Sequence, residues 1–193
     1  MSLPYGWLTT SQKFFMNRLR MFFCLKKAKE NPGRILAGGV SVALRTIRMF
    51  DDEFLHKVSR PVDDVDDRIR EILNDMAETM YNTQNGGGLA ACQIGILRRL
   101  VVADMGEGLL KLVNPQIVEC KGDQLVIEGC LSYPGIWGKV LRPREIVVQA
   151  LNENGDPIVV RGVGEMAKCL CHEIDHTNGI IYKDKITEYV EMD

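Results

Sequence analysis

Residues 171–176 read CHEIDH, and this run restricts the fold more than any other part of the chain. Two histidines four apart project from one face of a helix, one turn from each other, close enough to grip a single ion. Glu173, directly after the first, then stands beside the ion as a candidate general base. Two nitrogens do not complete a catalytic site, which takes three protein ligands and leaves one position for water. Whatever this chain folds into must carry that helix and bring a third ligand to it.

The tail beyond His176 offers little. A third histidine six residues on, after a glycine, would complete one zinc-peptidase pattern; Gly179 is present, but that position is Tyr182. Only 17 residues follow His176, in which Glu188 and Glu191 are formal candidates with little chain to support them. His56, the remaining imidazole, lies in the polar stretch DEFLHKVSRPV and is expected near the surface. Cys169 shares the helix but sits seven residues from His176, roughly 10 Å along the axis at 1.5 Å per residue. Cys130 ends the β-branched run DQLVIEGC and enters a loop marked by Pro134 and Gly135. A strand end facing a helix can deliver a thiolate to two imidazoles. Residue chemistry alone leaves Cys130 as either the third ligand or a buried structural cysteine.

Composition sets the frame. The 193 residues are 46% apolar and 26% charged with a formal charge of −2, enough for one domain with a real core. Nothing in the slightly acidic balance argues for nucleic acid, and no segment is long and apolar enough to span a bilayer. Six cysteines without a clear signal peptide suggest a reducing compartment.

Residues 1–42 stand apart. They hold seven Lys or Arg against one acid, Glu30, with Phe14, Phe15, Leu19, Phe22 and Phe23 interleaved. A basic amphipathic helix from about Thr10 to Lys29 fits a membrane- or ribosome-surface helix, an organellar transit peptide, or an upstream extension that packs on the domain. Residues 43–193 are then the catalytic domain.

Within that domain ALRTIRMF suggests a short strand or extended entry. A helix is expected over DDVDDRIREILNDMAETMYNTQN, with Ile69, Leu73, Met76 and Met80 at helical spacing and glycines to end it. LRRLVVAD, LLKLVNPQIVEC, DQLVIEGCL and REIVVQAL have strand composition, and NENGDP marks a hairpin before IVVRGV. A second helix is expected from near Val163 to Asn178-Gly179. The order predicts an α+β fold, with mostly antiparallel strands packed around a C-terminal helix that carries the metal motif.

Three segments together resemble the peptide deformylase family: GGGLAACQIG (86–95), EGCLS (128–132) and HEIDHTNG (172–179), in the family's order and spacing. The resemblance covers about residues 43–188. It implies Cys130, His172 and His176 as metal ligands and Glu173 as proton shuttle. Gln93 and the Leu131 N–H would hold the developing oxyanion, and Gly86, Gly87, Gly88 and Gly129 would line the substrate cleft. Asp175 is implied as a supporting residue, with Arg142 as its buried partner or, alternatively, a surface arginine.

The implied activity is removal of the N-formyl group from N-formylmethionine of nascent chains. An ion-activated water would be the nucleophile and formate the product. Fe(II) is the implied metal, with Zn(II), Ni(II) or Co(II) able to substitute. The ribosome would be a transient partner and the bacterial cytoplasm the location, or an organelle of bacterial descent if residues 1–42 are a transit peptide.

Several positions depart from the pattern. Gly87 stands where a β-branched residue is usual, Cys92 for proline, Cys171 for glutamine and Thr177 for leucine. Glu165 and Lys168 are charged where an apolar side-chain pocket is expected. Two other readings remain at this level: a general metallopeptidase with a ligand from the tail, and a closed structural metal domain.

Overall fold

The computed structural model describes residues 43–50 and 52–192; the expected amphipathic helix of residues 1–42 lies outside them. Two helices frame one sheet. Helix α1 spans Asp67–Asn82 and helix α2 spans Glu165–Thr177. The strands are β1 Gly88–Ala90, β2 Leu100–Ala103, β3 Leu110–Cys130, β4 Tyr133–Leu151, β5 Pro157–Val163 and β6 Ile186–Tyr189. They run in the order β1-β2-β3-β4-β5, with β6 added beside β4, and every pairing between them is antiparallel. The architecture is the α+β arrangement that the sequence predicts.

Both helices form where expected, for local reasons. Asp66 caps α1 by accepting the Ile69 N–H at 2.9 Å, which satisfies a donor the helix itself cannot. Its buried face includes Ile69, Ile72, Leu73, Met76 and Met80. Helix α2 begins two residues later than expected, because Gly164, at φ 60°, turns the chain out of β5. It ends at Asn178, with Gly179 at φ 72° just beyond.

The sheet separates two cores. Leu100 and Val102 of β2 pack with Leu73, Met76 and Met80 of α1, while Val101 and Ala103 join Leu170 and Ile174 of α2. Alternation along one strand thus serves both helices, and β2 is buried throughout. Leu55, Tyr133, Val140, Ile181 and Tyr182 make a third cluster beside the site.

Strand lengths differ from expectation. LLKLVNPQIVEC and DQLVIEGCL form one 21-residue strand, β3, paired with the 19-residue β4; the ladder runs in register through Lys121 and Asp123 between them, and its irregularities fall at Val113–Gln116, Ile117–Glu119 and Glu128–Cys130. Residues 43–49 form no strand. They are held by single bonds instead: Ala43 N–H to Asp75 Oδ1 at 2.7 Å and Arg48 N–H to the Gln93 carbonyl at 2.7 Å.

Candidate metal centre

Three elements converge on one point. Helix α2 presents His172 and His176, and the end of β3 presents Cys130. The 3₁₀ turn Ala91–Ile94, directly after β1, presents Gln93. One ligand atom each from Cys130, His172 and His176 lies within 4.8 Å of the others. Cys130 Sγ is 3.2 Å from His176 Nε2. The chemistry of this set, one thiolate sulfur and two imidazole nitrogens, suits a divalent transition metal and leaves room for a fourth ligand.

The remaining candidates lie elsewhere. His56 is exposed, and Glu188 pairs with Lys139 on the surface at 2.8 Å. Cys169 donates to the Gly87 carbonyl at 3.4 Å, below the glycine run.

Glu128 is the participant that residue-by-residue reading missed. It is 3% exposed and accepts His172 Nδ1–H at 2.9 Å, which leaves Nε2 of that ring for the cluster. Arg142 grips the same carboxylate through Nε at 2.7 Å and Nη2 at 3.0 Å, and also contacts Asp175. Lys185 reaches Asp175 at 2.6 Å. Arg142 is therefore the buried partner of Asp175, 3% exposed, and it joins β3, which bears Cys130, to α2, which bears His172 and His176. A lone acid before a glycine at a strand end carries no sequence signal of its own, so Glu128 was legible only through the fold.

These contacts set the charges. Burial resists ionisation of Glu128, but its bonds to His172 and Arg142 prevail and lower its pKa to about 2. Burial likewise opposes charge on His172, yet Cys130 and Glu128 raise its pKa well above the usual imidazole value. Burial, with His172 and Arg142 adding repulsion, keeps His176 neutral. Glu173 is pushed up to about 7, by burial first and by the Glu128 charge, with His172 and Arg142 opposing.

Glu173 stands at the edge of β1. A Cβ on Gly88 would lie 2.5 Å from its Oε1, so only glycine admits the carboxylate there. Its Oε2 is buried without a protein hydrogen-bond partner, as is His176 Nδ1. An unpartnered buried carboxylate oxygen beside a ligand cluster fits a water or substrate that it would address.

Gln93 is fixed on both sides of its amide. Its Oε1 accepts the Ala90 N–H at 2.8 Å, and its Nε2 donates to Ser132 Oγ at 3.2 Å and to Cys130 Sγ at 3.4 Å. Leu131 follows Cys130 in the tight turn before β4, and Gly129 lies against the Trp137 ring.

The departures are accommodated. Gly87 is pinned, since its carbonyl also accepts the Asp104 N–H at 2.9 Å. Cys92 is buried with its thiol on the His176 carbonyl at 3.4 Å, and burial pushes its pKa up to about 12. Thr177 satisfies its hydroxyl on the Ile174 carbonyl at 2.7 Å. Cys171 is buried, while Glu165 and Lys168 pair with each other.

The Gly87–Asp104 bond gives the register of β1. Hydrogen-bonded pairs alternate in an antiparallel ladder, so the N–H and C=O of Gly88 turn away from β2. Among the described residues no strand pairs with that edge. An open strand edge in front of a thiolate–imidazole cluster and a buried glutamate gives this α+β domain the parts of a metal-dependent hydrolase acting on extended chains.

Comparison with known proteins agrees. The family model described as polypeptide deformylase matches residues 44–191. Peptide deformylase 2 of Clostridium acetobutylicum is 55% identical over 150 residues, covering 78% of this chain and 100% of its own. The peptide deformylase of Acetivibrio thermocellus is 53% identical over 152 residues, 79% of this chain and 89% of that one. Among solved structures, a peptide deformylase from Legionella pneumophila superposes with a TM-score of 0.72 at 41% identity, covering 75% of this chain and 87% of that one. One from Ehrlichia chaffeensis in complex with actinonin gives 0.74 at 36%, covering 76% and 90%. The chain belongs to the polypeptide deformylase family.

Proposed function

We propose that this protein removes the N-formyl group from N-formylmethionyl peptides, with Cys130, His172 and His176 holding one divalent metal. The observation that carries the reading is the unpartnered Glu173 oxygen, buried beside those three ligand atoms at the open edge of β1. Fe(II) is the proposed native ion, with Zn(II), Ni(II) or Co(II) as substitutes. Such an ion supplies Lewis acidity, lowering the pKa of a water and polarising a carbonyl oxygen.

The protein's own groups do the rest. An extended peptide pairs with the Gly88 edge, in a cleft lined by Gly86, Gly87 and Gly129. Glu173 accepts a proton from the attacking water as a C–O bond forms at the formyl carbon. The Leu131 N–H and the Gln93 amide, the latter exchanging its bond to Ser132 Oγ or Cys130 Sγ, donate to the oxygen on which charge develops. Glu173 then returns the proton to the departing amine, the C–N bond breaks, and formate and a free methionyl amine result. Glu128 orients His172, and Arg142 with Asp175 holds strand and helix in place.

The catalytic domain in this reading is residues 43–193, preceded by a basic extension of residues 1–42. The protein acts in the bacterial cytoplasm, on chains emerging from the ribosome.

The test is formate release from a formyl-Met peptide by protein loaded anaerobically with Fe(II). Glu173→Ala is expected to lower kcat by roughly 10²–10⁴-fold with metal retained. Cys130→Ala is expected to lose metal and activity together. Full activity in either variant would remove that residue from the reading.

A further inference from the structure

The glycine run before β1 holds a contact that the chemistry above does not use. Gly88 looks toward α2 and Glu173. Alternation along the strand sends the equivalent direction at Gly87 to the opposite face, and there it meets Met105. A Cβ on Gly87 would lie 3.0 Å from the Met105 sulfur and 3.9 Å from its terminal methyl. The thioether thus fills space that a branched side chain at position 87 would take.

Met105 is presented, not loose. It follows Asp104, whose Oδ1 accepts the N–H groups of Gly106 at 2.8 Å and Gly108 at 3.3 Å. Asp104 Oδ2 accepts the Tyr81 hydroxyl at 2.6 Å, and the Asp104 N–H is bound to Gly87 itself. At 37% exposed, the Met105 side chain remains within reach of a ligand.

A peptide paired with the Gly88 edge alternates its own side chains between the same two faces. The residue opposite Gly88 projects toward α2, beside Glu173, and carries the formyl group. The residue after it projects to the face of Met105. We propose that Met105 is a specificity-determining residue: its thioether, laid over Gly87, forms an adaptable apolar wall that favours a large apolar side chain directly after the formylated methionine. This rests on the deformylase reading above. Methionine suits the role because its unbranched, polarisable side chain adjusts to several apolar shapes.

The test compares kcat/KM of the Fe(II)-loaded full chain on formyl-Met-Leu and formyl-Met-Gly peptides of equal length. Met105→Ala is expected to cut the Leu-over-Gly ratio by about three- to tenfold, less than the roughly 10–200-fold of an enclosed apolar pocket because Met105 is partly exposed. Met105→Leu keeps the ratio. Gly87→Val placed in the Met105→Ala background restores it, since position 87 lacks the positive φ that would exclude a branched residue. Circular dichroism checks that each variant is folded. A wild-type ratio in Met105→Ala, or an equal fall on both peptides, overturns the proposal and leaves the deformylase reading standing. No formate from wild type on either peptide would sink both.

Discussion

Two buried carboxylates in one site are driven in opposite directions by their neighbours. Glu173 has no protein partner for one oxygen and keeps its proton up to about pH 7, whereas Glu128, held by His172 and Arg142, loses its proton near pH 2. The ordinary value for both is 4.5. In metal-free protein, the folded chain therefore retains a proton on Glu173 that the unfolded chain has lost, and stability falls as pH rises from 4.5 to about 7. Glu128 acts at the other end. The stability it adds is complete above 4.5 and is lost as pH falls toward 2. Urea unfolding of chelated protein across pH is expected to show Glu173→Gln flattening the upper window and Glu128→Gln the lower. An unchanged acid limb in Glu128→Gln would dismiss the ion pair as a source of stability. The metal should feel the same residue: without the Glu128 carboxylate, His172 loses its orienting partner, and affinity measured by competition with a chelator is expected to weaken about 10–100-fold.

At the scale of elements, Arg142 is the joint. It lies on β4 with its fork on Glu128 of β3 and its other nitrogen on Asp175 of α2, so one side chain fixes the helix of His172 and His176 against the strand of Cys130. Removing it leaves the buried Glu128 with His172 alone and Asp175 with Lys185 alone. Breaking a buried pair by deleting one partner costs about 3–5 kcal/mol, and Arg142→Ala is expected to show a loss of that order in urea denaturation. A loss under about 1 kcal/mol would mean that solvent reaches the pair. The sequence permits this joint without revealing it, since an arginine in VLRPRE is as compatible with a solvated strand face. Both helices, by contrast, were readable because capping and 3.6-residue spacing are local. β1 and β6 were not readable: GLA and ITEY carry no β-branched run such as LRRLVVAD supplies for the equally short β2, so packing against partner strands decides them.

For the whole molecule, the site is where three separate elements meet, so an ion held there would link metal binding to the fold. An ion that binds only the assembled cluster stabilises the folded chain by mass action, about 2.7 kcal/mol at a free concentration 100 times its Kd. Thermal unfolding is expected to shift upward with Fe(II) or Zn(II) and back with chelator, and Cys130→Ala is expected to abolish the shift. A metal-dependent shift that persists in Cys130→Ala would place the ion elsewhere.

The sequence by itself determined the helices, the antiparallel α+β character and two candidate ligands on one helical face, because each follows from spacing within a single segment. Its resemblance to a family pointed to Cys130, Gln93 and Leu131. Only the tertiary structure put Glu128 on His172, closed Arg142 over two carboxylates and laid Met105 on Gly87. Those contacts join residues 14 to 44 positions apart, or fill space left by a missing side chain. Such partners are chosen by register and packing between elements, and no periodicity within one segment encodes them.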